Sequence, residues 1–310
     1  MTQKRCFYLK TEDFHRVFVS TAGPDGGIPV VCFHGGPGSG SSLSLFNFFD
    51  LSRHFVVLID QRGAGRSLPA GRLKRNSTDW LLRDIEQIRQ YLDIEQWHVF
   101  GGSWGATLAI AYAGSYPESV GQLILRGTFL ASGREIRALF NASRFKAAQV
   151  WNRLRNIIGA TSSDDMLHCL FRCLQQGGTP AWQAALAYSD LERAVLARAN
   201  RAMGMRRATW SVQERHQQRL KYLIHTHYLL AACGLQGGRL TALARRATDH
   251  GIGGVAVHGK SDPLCPLSNL KWMRRNLPNI QQFVVEGGHL ASEPEIYRTL
   301  CDAVSKLVPV

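Results

Sequence analysis

Short apolar runs and polar, glycine-marked breaks alternate through the first third of the chain. Phe14 to Val19 reads as a strand, with Gly23-Pro24-Asp25-Gly26-Gly27 as the turn behind it. Ile28 to Phe33 is a second apolar run, closed by His34-Gly35-Gly36-Pro37-Gly38. Phe55 to Ile59 reads as a buried strand that ends in Asp60-Gln61-Arg62-Gly63-Ala64-Gly65-Arg66-Ser67. The period then changes. Leu81, Ile85, Ile88 and Leu92 recur at helical spacing behind Ser77 and Thr78, either of which can cap the helix. Trp97 to Phe100 is the next strand, Ala106 to Ala113 a small-residue helix, and Gln122 to Leu125 the strand after it. This alternation predicts a mostly parallel sheet with helices on both faces.

From Ala131 to Arg246 the strand signal disappears. Ala, Leu, Arg and Gln dominate, and Trp182 to Ala202 and Gln213 to Leu230 read as helices. Strand and helix signals resume at Gly253 to His258, continue at Ile280 to Val285, and close on a helix after Pro294. The expected organisation is therefore an α/β domain of residues 1–130 and 247–310, interrupted by an all-helical insertion of 131–246.

Composition narrows the class. A chain of 310 residues, 45% hydrophobic and 19% charged, has enough apolar material for a sizeable core. No apolar run approaches the length of a membrane helix, and no apolar stretch follows Met1-Thr2-Gln3-Lys4-Arg5-Cys6, so neither a membrane span nor a secretory signal is expected. Seven scattered cysteines form no disulfide framework, which predicts free thiols in a cytoplasmic protein. Cys169 and Cys173 read as helix packing. The net charge of +14 is concentrated between Ala131 and His250, where 18 Lys/Arg face 7 Asp/Glu. No nucleic-acid-binding motif or aromatic platform accompanies it, so it reads as a solvated helical face and nucleic acid is not an expected partner.

The chemistry begins at Gly101-Gly102-Ser103-Trp104-Gly105. Between a strand and a helix, G-x-S-x-G is the nucleophile elbow of α/β hydrolases: a sharp turn that forces the serine hydroxyl into the open. A serine needs a base, and the base needs a carboxylate to fix its tautomer. In this fold the chain order is Ser, acid, His. Asp262 follows the strand at Val255 to Val257, and His289 follows Phe283-Val284-Val285, both past the ends of strands where open α/β sheets build their sites. The oxyanion hole is expected from the backbone N–H of Trp104 and from the Gly35-Gly36 loop. His34 reads as a loop brace. The stretch Gly254-x4-Gly259-Lys260-Ser261 fits a phosphate-loop pattern letter by letter, but its inner residues are themselves the strand, which excludes a nucleotide site.

His34-Gly35-Gly36-Pro37-Gly38, Asp60 to Ser67, and Gly101-Gly102-Ser103-Trp104-Gly105-Ala106-Thr107-Leu108-Ala109 together resemble the proline iminopeptidase family. Leu125-Arg126-Gly127-Thr128-Phe129, His258 to Asp262 with Cys265-Pro266, and Gly288-His289 with Glu293-Pro294-Glu295 look like that family too. The resemblance implies an α/β-hydrolase fold with a helical cap and a Ser103, Asp262, His289 triad. It implies release of an N-terminal residue, usually proline, from short peptides, with no metal or cofactor. Phe129 and Cys265 fall on the substrate side. Trp210-Ser211-Val212-Gln213-Glu214 resembles the family's W-x-x-W-E segment and makes Glu214 the expected anchor for the substrate's free amine. His225 stands where the family has a second carboxylate, and is expected to contact substrate. An esterase, amidase or lactonase with a diverged cap is the alternative.

Overall fold

The computed structural model describes residues 4–197 and 210–310, with the side chains of all of these but 142–146 and 197. In chain order the elements begin with β1 (Lys4–Lys10), β2 (Arg16–Ala22), β3 (Ile28–Phe33), β4 (His54–Asp60), α1 (Thr78–Tyr91), β5 (Trp97–Gly102), α2 (Trp104–Ser115) and β6 (Val120–Arg126). Five helices follow: α3 (Gly133–Lys146), α4 (Ala148–Ile158), α5 (Met166–Gln176), α6 (Gly178–Ala197) and α7 (Val212–Leu230). The remainder is α8 (Arg239–Asp249), β7 (Gly253–Gly259), α9 (Ser268–Asn276), β8 (Ile280–Val285) and α10 (Pro294–Ser305).

The strands form one eight-stranded sheet in the order β1-β2-β4-β3-β5-β6-β7-β8. Pairing is antiparallel at β1/β2 and β2/β4 and parallel everywhere else. The hydrophobic pattern does not mark β1, because it is an edge strand with its side chains mostly exposed. The inner strands β4 and β5 are buried at every position, as parallel strands covered on both faces must be. Alternate residues of β3 feed two cores. Val31 and Phe33 pack with α1 and α2, while Val30 and Cys32 pack with α10 and the Phe46–Phe49 turn.

The topology decides where a site can form. β3 has β4 on one side and β5 on the other, so the direction of winding reverses between β3 and β5. The loops leaving their C-terminal ends diverge there and leave a crevice. Residues 34–38 leave β3, and Ser103 leaves β5, on either side of that point.

The helices α4 to α7 pack chiefly on one another. They meet the α/β layer through α7, where His227 Nε2 contacts Asn76 O at 2.9 Å and Tyr228 donates to Asn76 Oδ1 at 2.8 Å. α8 packs on α2, so the helical layer of the sheet is rejoined before the expected boundary at 246. Residues 198–202 of the expected Trp182–Ala202 helix lie outside the described residues. Cys169 and Cys173 are both buried in α5 within the core, and are free.

Candidate active site

The elbow is built from close approach. Ser103 sits between β5 and α2 with φ 57° and ψ −121°, a backbone state that costs an L-residue about 1–3 kcal/mol. The Ser103 amide donates to Arg126 O at 2.8 Å, tying the strained residue to β6. A Cβ on Gly105 would stand 2.1 Å from Phe33 O, so α2 can lie this close to β3 only with glycine there. The helix N-terminus thus lies directly behind the serine.

The glycine loop after β3 is braced from below. Trp104 Nε1 donates to Gln61 Oε1 at 2.9 Å, Gln61 Nε2 donates to His34 O at 3.2 Å, and the Gln61 amide donates to His34 Nε2 at 3.2 Å. His34 is buried and fully occupied by this brace. A Cβ on Gly35 would stand 3.3 Å from Ser103 Cβ, so the Gly35 backbone lies against the candidate nucleophile. Gly35, Gly36 and Trp104 all line the cavity above Ser103.

The candidate acid and base arrive from the loops after β7 and β8. His289 Nδ1 and Asp262 Oδ2 are 2.7 Å apart, with both side chains almost wholly buried. Asp262 Oδ1 also accepts from the Leu264 and Cys265 amides, each at 2.9 Å. Burial alone would raise the Asp262 carboxyl, but the His289 hydrogen bond and the two amides outweigh it and hold the group below the usual carboxylate range. His289 moves down from the ordinary imidazole value, first through burial and then through the Arg126 charge, against the pull of Asp262. Glu293 fixes the His289 loop by accepting from the Gly288 and Leu290 amides at 2.6 and 2.8 Å.

Asp262, Cys265 and His289 place ligand-type atoms within 4.8 Å of one another. Asp262 and His289 already satisfy each other, and burial pushes the Cys265 thiol well up, so it stays protonated. The trio is a poor metal set. The Cys265 side chain instead lines the same cavity as Ser103.

A cavity of about 220 Å³ opens over Ser103 and is roofed by α6 and α7. Phe129, His225, Cys265 and His289 line it, as does Arg126. His225 is neutral there: burial pushes its imidazole down to about 4, and its Nε2 meets Tyr188 OH at 3.2 Å. Glu214 is not among the lining residues. It holds the N3 position of a capping box at the start of α7, where its Oε2 accepts from the Ser211 amide at 2.8 Å and its own amide donates to Ser211 Oγ at 3.1 Å. Among the described residues, the carboxylate that does line the cavity is Glu192 of α6. Its Oε2 accepts from Tyr222 OH at 2.7 Å and lies 4.0 Å from Lys221 Nζ. Sequence reasoning passed Glu192 over. The signal was present: Tyr188, Leu191, Glu192 and Val195 fall on one helical stripe, and a glutamate in an apolar stripe is anomalous.

Residues 28–295 match the family model described as α/β hydrolase fold. The chain is 34% identical to a proline iminopeptidase of Xylella fastidiosa, over 97% of this chain and 95% of that protein. It is 32% identical to a proline iminopeptidase of Neisseria meningitidis, over 97% and 96%. Among solved structures it resembles an esterase from Exiguobacterium antarcticum, with a TM-score of 0.61 at 17% identity, covering 97% of this chain and 98% of that one. It resembles the thioesterase domain of the curacin biosynthetic pathway with a TM-score of 0.58 at 17% identity, over 99% and 100%. At these identities the two structures speak to the fold alone. Among the described residues no helix is long and apolar enough to cross a membrane.

Proposed function

The chain belongs to the proline iminopeptidase family of α/β hydrolases and is a serine hydrolase; from that premise we propose that it releases N-terminal proline, or another small N-terminal residue, from short peptides. The observation that carries this reading is one carboxylate, Glu192, in the same cavity as Ser103. An aminopeptidase must hold a charged terminal amine at a fixed distance from the nucleophile, and so reject internal bonds. Glu192 is the group in place to do so. The 220 Å³ cavity suits a small acyl group rather than a continuing polypeptide.

In the proposed mechanism His289 Nε2 takes the Ser103 proton as Oγ attacks the scissile carbonyl. Asp262 keeps the other imidazole proton on Nδ1 and stabilises the imidazolium. The backbone amides of Trp104 and the Gly35-Gly36 loop receive the developing oxyanion. The imidazolium then protonates the leaving amine, and water, activated by the same base, hydrolyses the acyl-enzyme. All seven cysteines are free, which supports a reducing, cytoplasmic setting.

The test is hydrolysis of a prolyl arylamide beside a panel of neutral aryl esters. The wild-type chain is expected to cleave the amide. Glu192→Gln, which loses a charge-assisted contact of about 1.5–3 kcal/mol, is expected to lower kcat/KM for the amide by about 10–100-fold and to spare the neutral esters. Robust ester cleavage with no amide cleavage would select the esterase alternative. Glu214→Gln is a separate prediction. Glutamine can serve in a capping box, so activity on the amide is expected to change by less than about threefold, within the scatter of surface substitutions. A loss in Glu214→Gln as large as that in Glu192→Gln would return the anchor to Glu214.

A further inference from the structure

Arg126 ends β6 at the position paired with Gly102, the residue before the nucleophile. Its guanidinium crosses Gly102, where a Cβ would stand 2.4 Å from Nη2. Nη1 donates to His289 O at 2.7 Å and also meets His289 Nε2 at 3.2 Å. A guanidinium has donors and no acceptor, so Nε2 accepts at this contact. The lone pair that Arg126 engages is therefore the one a serine proton must enter. Among the described residues Arg126 is in no ion pair, and its Nε–H is buried without a hydrogen-bond partner. No carboxylate locks the guanidinium in place, and it lines the substrate cavity.

We propose that Arg126 is a positioning residue that occupies the His289 lone pair in the free enzyme and yields it to Ser103 when substrate fills the cavity. The inference rests on His289 as the base but not on the identity of the acyl group. The charged and titratable groups facing His289 are Asp262 after β7, Cys265 in the same loop with its Sγ within 4.8 Å, Arg126 from β6, His258 in β7 with Nε2 3.8 Å from Asp262 Oδ2, and Glu293 ahead of α10. Burial and, after it, the parked cation disfavour the imidazolium. The cation's departure lets His289 gain basicity at the moment it must accept a proton.

Two measurements test this. The first is a structure of the wild-type chain phosphonylated at Ser103 by a fluorophosphonate, a reagent that needs no amine anchor. Nη1 is expected out of hydrogen-bond range of Nε2. A contact that persists at the same distance overturns the proposal. The second is the pH profile of the phosphonylation rate, with an NMR titration of His289, in Arg126→Gln and Arg126→Lys. Removing the positive charge raises the folded value of the imidazole, so in Arg126→Gln the acid limb and the titration are expected to move to higher pH. The expected shift is about half a unit or more, a threefold gain in proton affinity. Arg126→Lys keeps the charge and is expected to hold the wild-type limb. A rate lowered equally at every pH, with no movement of the titration, would make Arg126 only a brace for the His289 carbonyl.

Discussion

Ser103→Ala is expected to lower kcat on a prolyl arylamide by about 10⁶-fold, the scale seen when the nucleophile of a serine hydrolase is removed. The fold should survive the change. Alanine is smaller than serine, and the strained backbone at φ 57° is set by the Ser103 amide's bond to Arg126 O and by the approach of α2 to β3, neither of which involves the hydroxyl. The variant keeps the Gly35-Gly36 loop and the Trp104 amide, so a residual rate above the uncatalysed reaction is expected from oxyanion stabilisation and binding alone. Steady-state assay of the purified variant, with a thermal melt to confirm folding, checks the prediction. Retention of more than about 1% of wild-type kcat would move the nucleophile elsewhere, because oxyanion stabilisation and binding alone cannot sustain that rate.

The parts of the site that are backbone devices were legible in the sequence. Gly101 to Gly105 announces a turn that only small residues permit, and the apolar runs on either side of it place that turn between β5 and α2. The meeting of Asp262 with His289 was legible because a parallel sheet gathers the loops at the C-terminal ends of its strands, and both residues follow an apolar run. What the sequence left open is set by side-chain direction in the cap. Ser211-Val212-Gln213-Glu214 is a capping-box pattern as well as a family segment, and the local helix signal prevails in the structure. Glu192 is one residue on a twenty-residue helix, and only the packing of α6 against α7 shows that its stripe faces the cavity. The role of Arg126 was equally hidden, because its contact with His289 spans 163 residues of chain. Edge strand β1 escaped for the opposite reason: it buries too little to leave a pattern.

Asp262→Asn is expected to leave the geometry nearly intact and still lower kcat by about 10⁴-fold. Asparagine retains an Oδ1 that can accept from the Leu264 and Cys265 amides, so the loop after β7 keeps its shape. The second oxygen becomes an NH₂ group facing His289 Nδ1. Two donors cannot share that contact, so the imidazole proton must leave Nδ1 for Nε2. Nε2 then has no lone pair for the Ser103 proton, and it meets the Arg126 guanidinium donor to donor. A base in the wrong tautomer is lost to catalysis although nothing has moved. The same substitution has a signature in stability. The Asp262 carboxyl is held below the usual carboxylate range, so in the wild type it contributes stability above the unfolded value of about 4, and that contribution is lost as the pH falls through the lower folded value. Asparagine does not titrate, so the variant's stability is expected to depend less on pH across that acid range. Denaturant melts of both proteins between pH 3 and neutrality, read beside kcat, separate the two effects. A variant with near wild-type kcat would show that His289 does not depend on Asp262 for its tautomer, and would displace Asp262 from the triad.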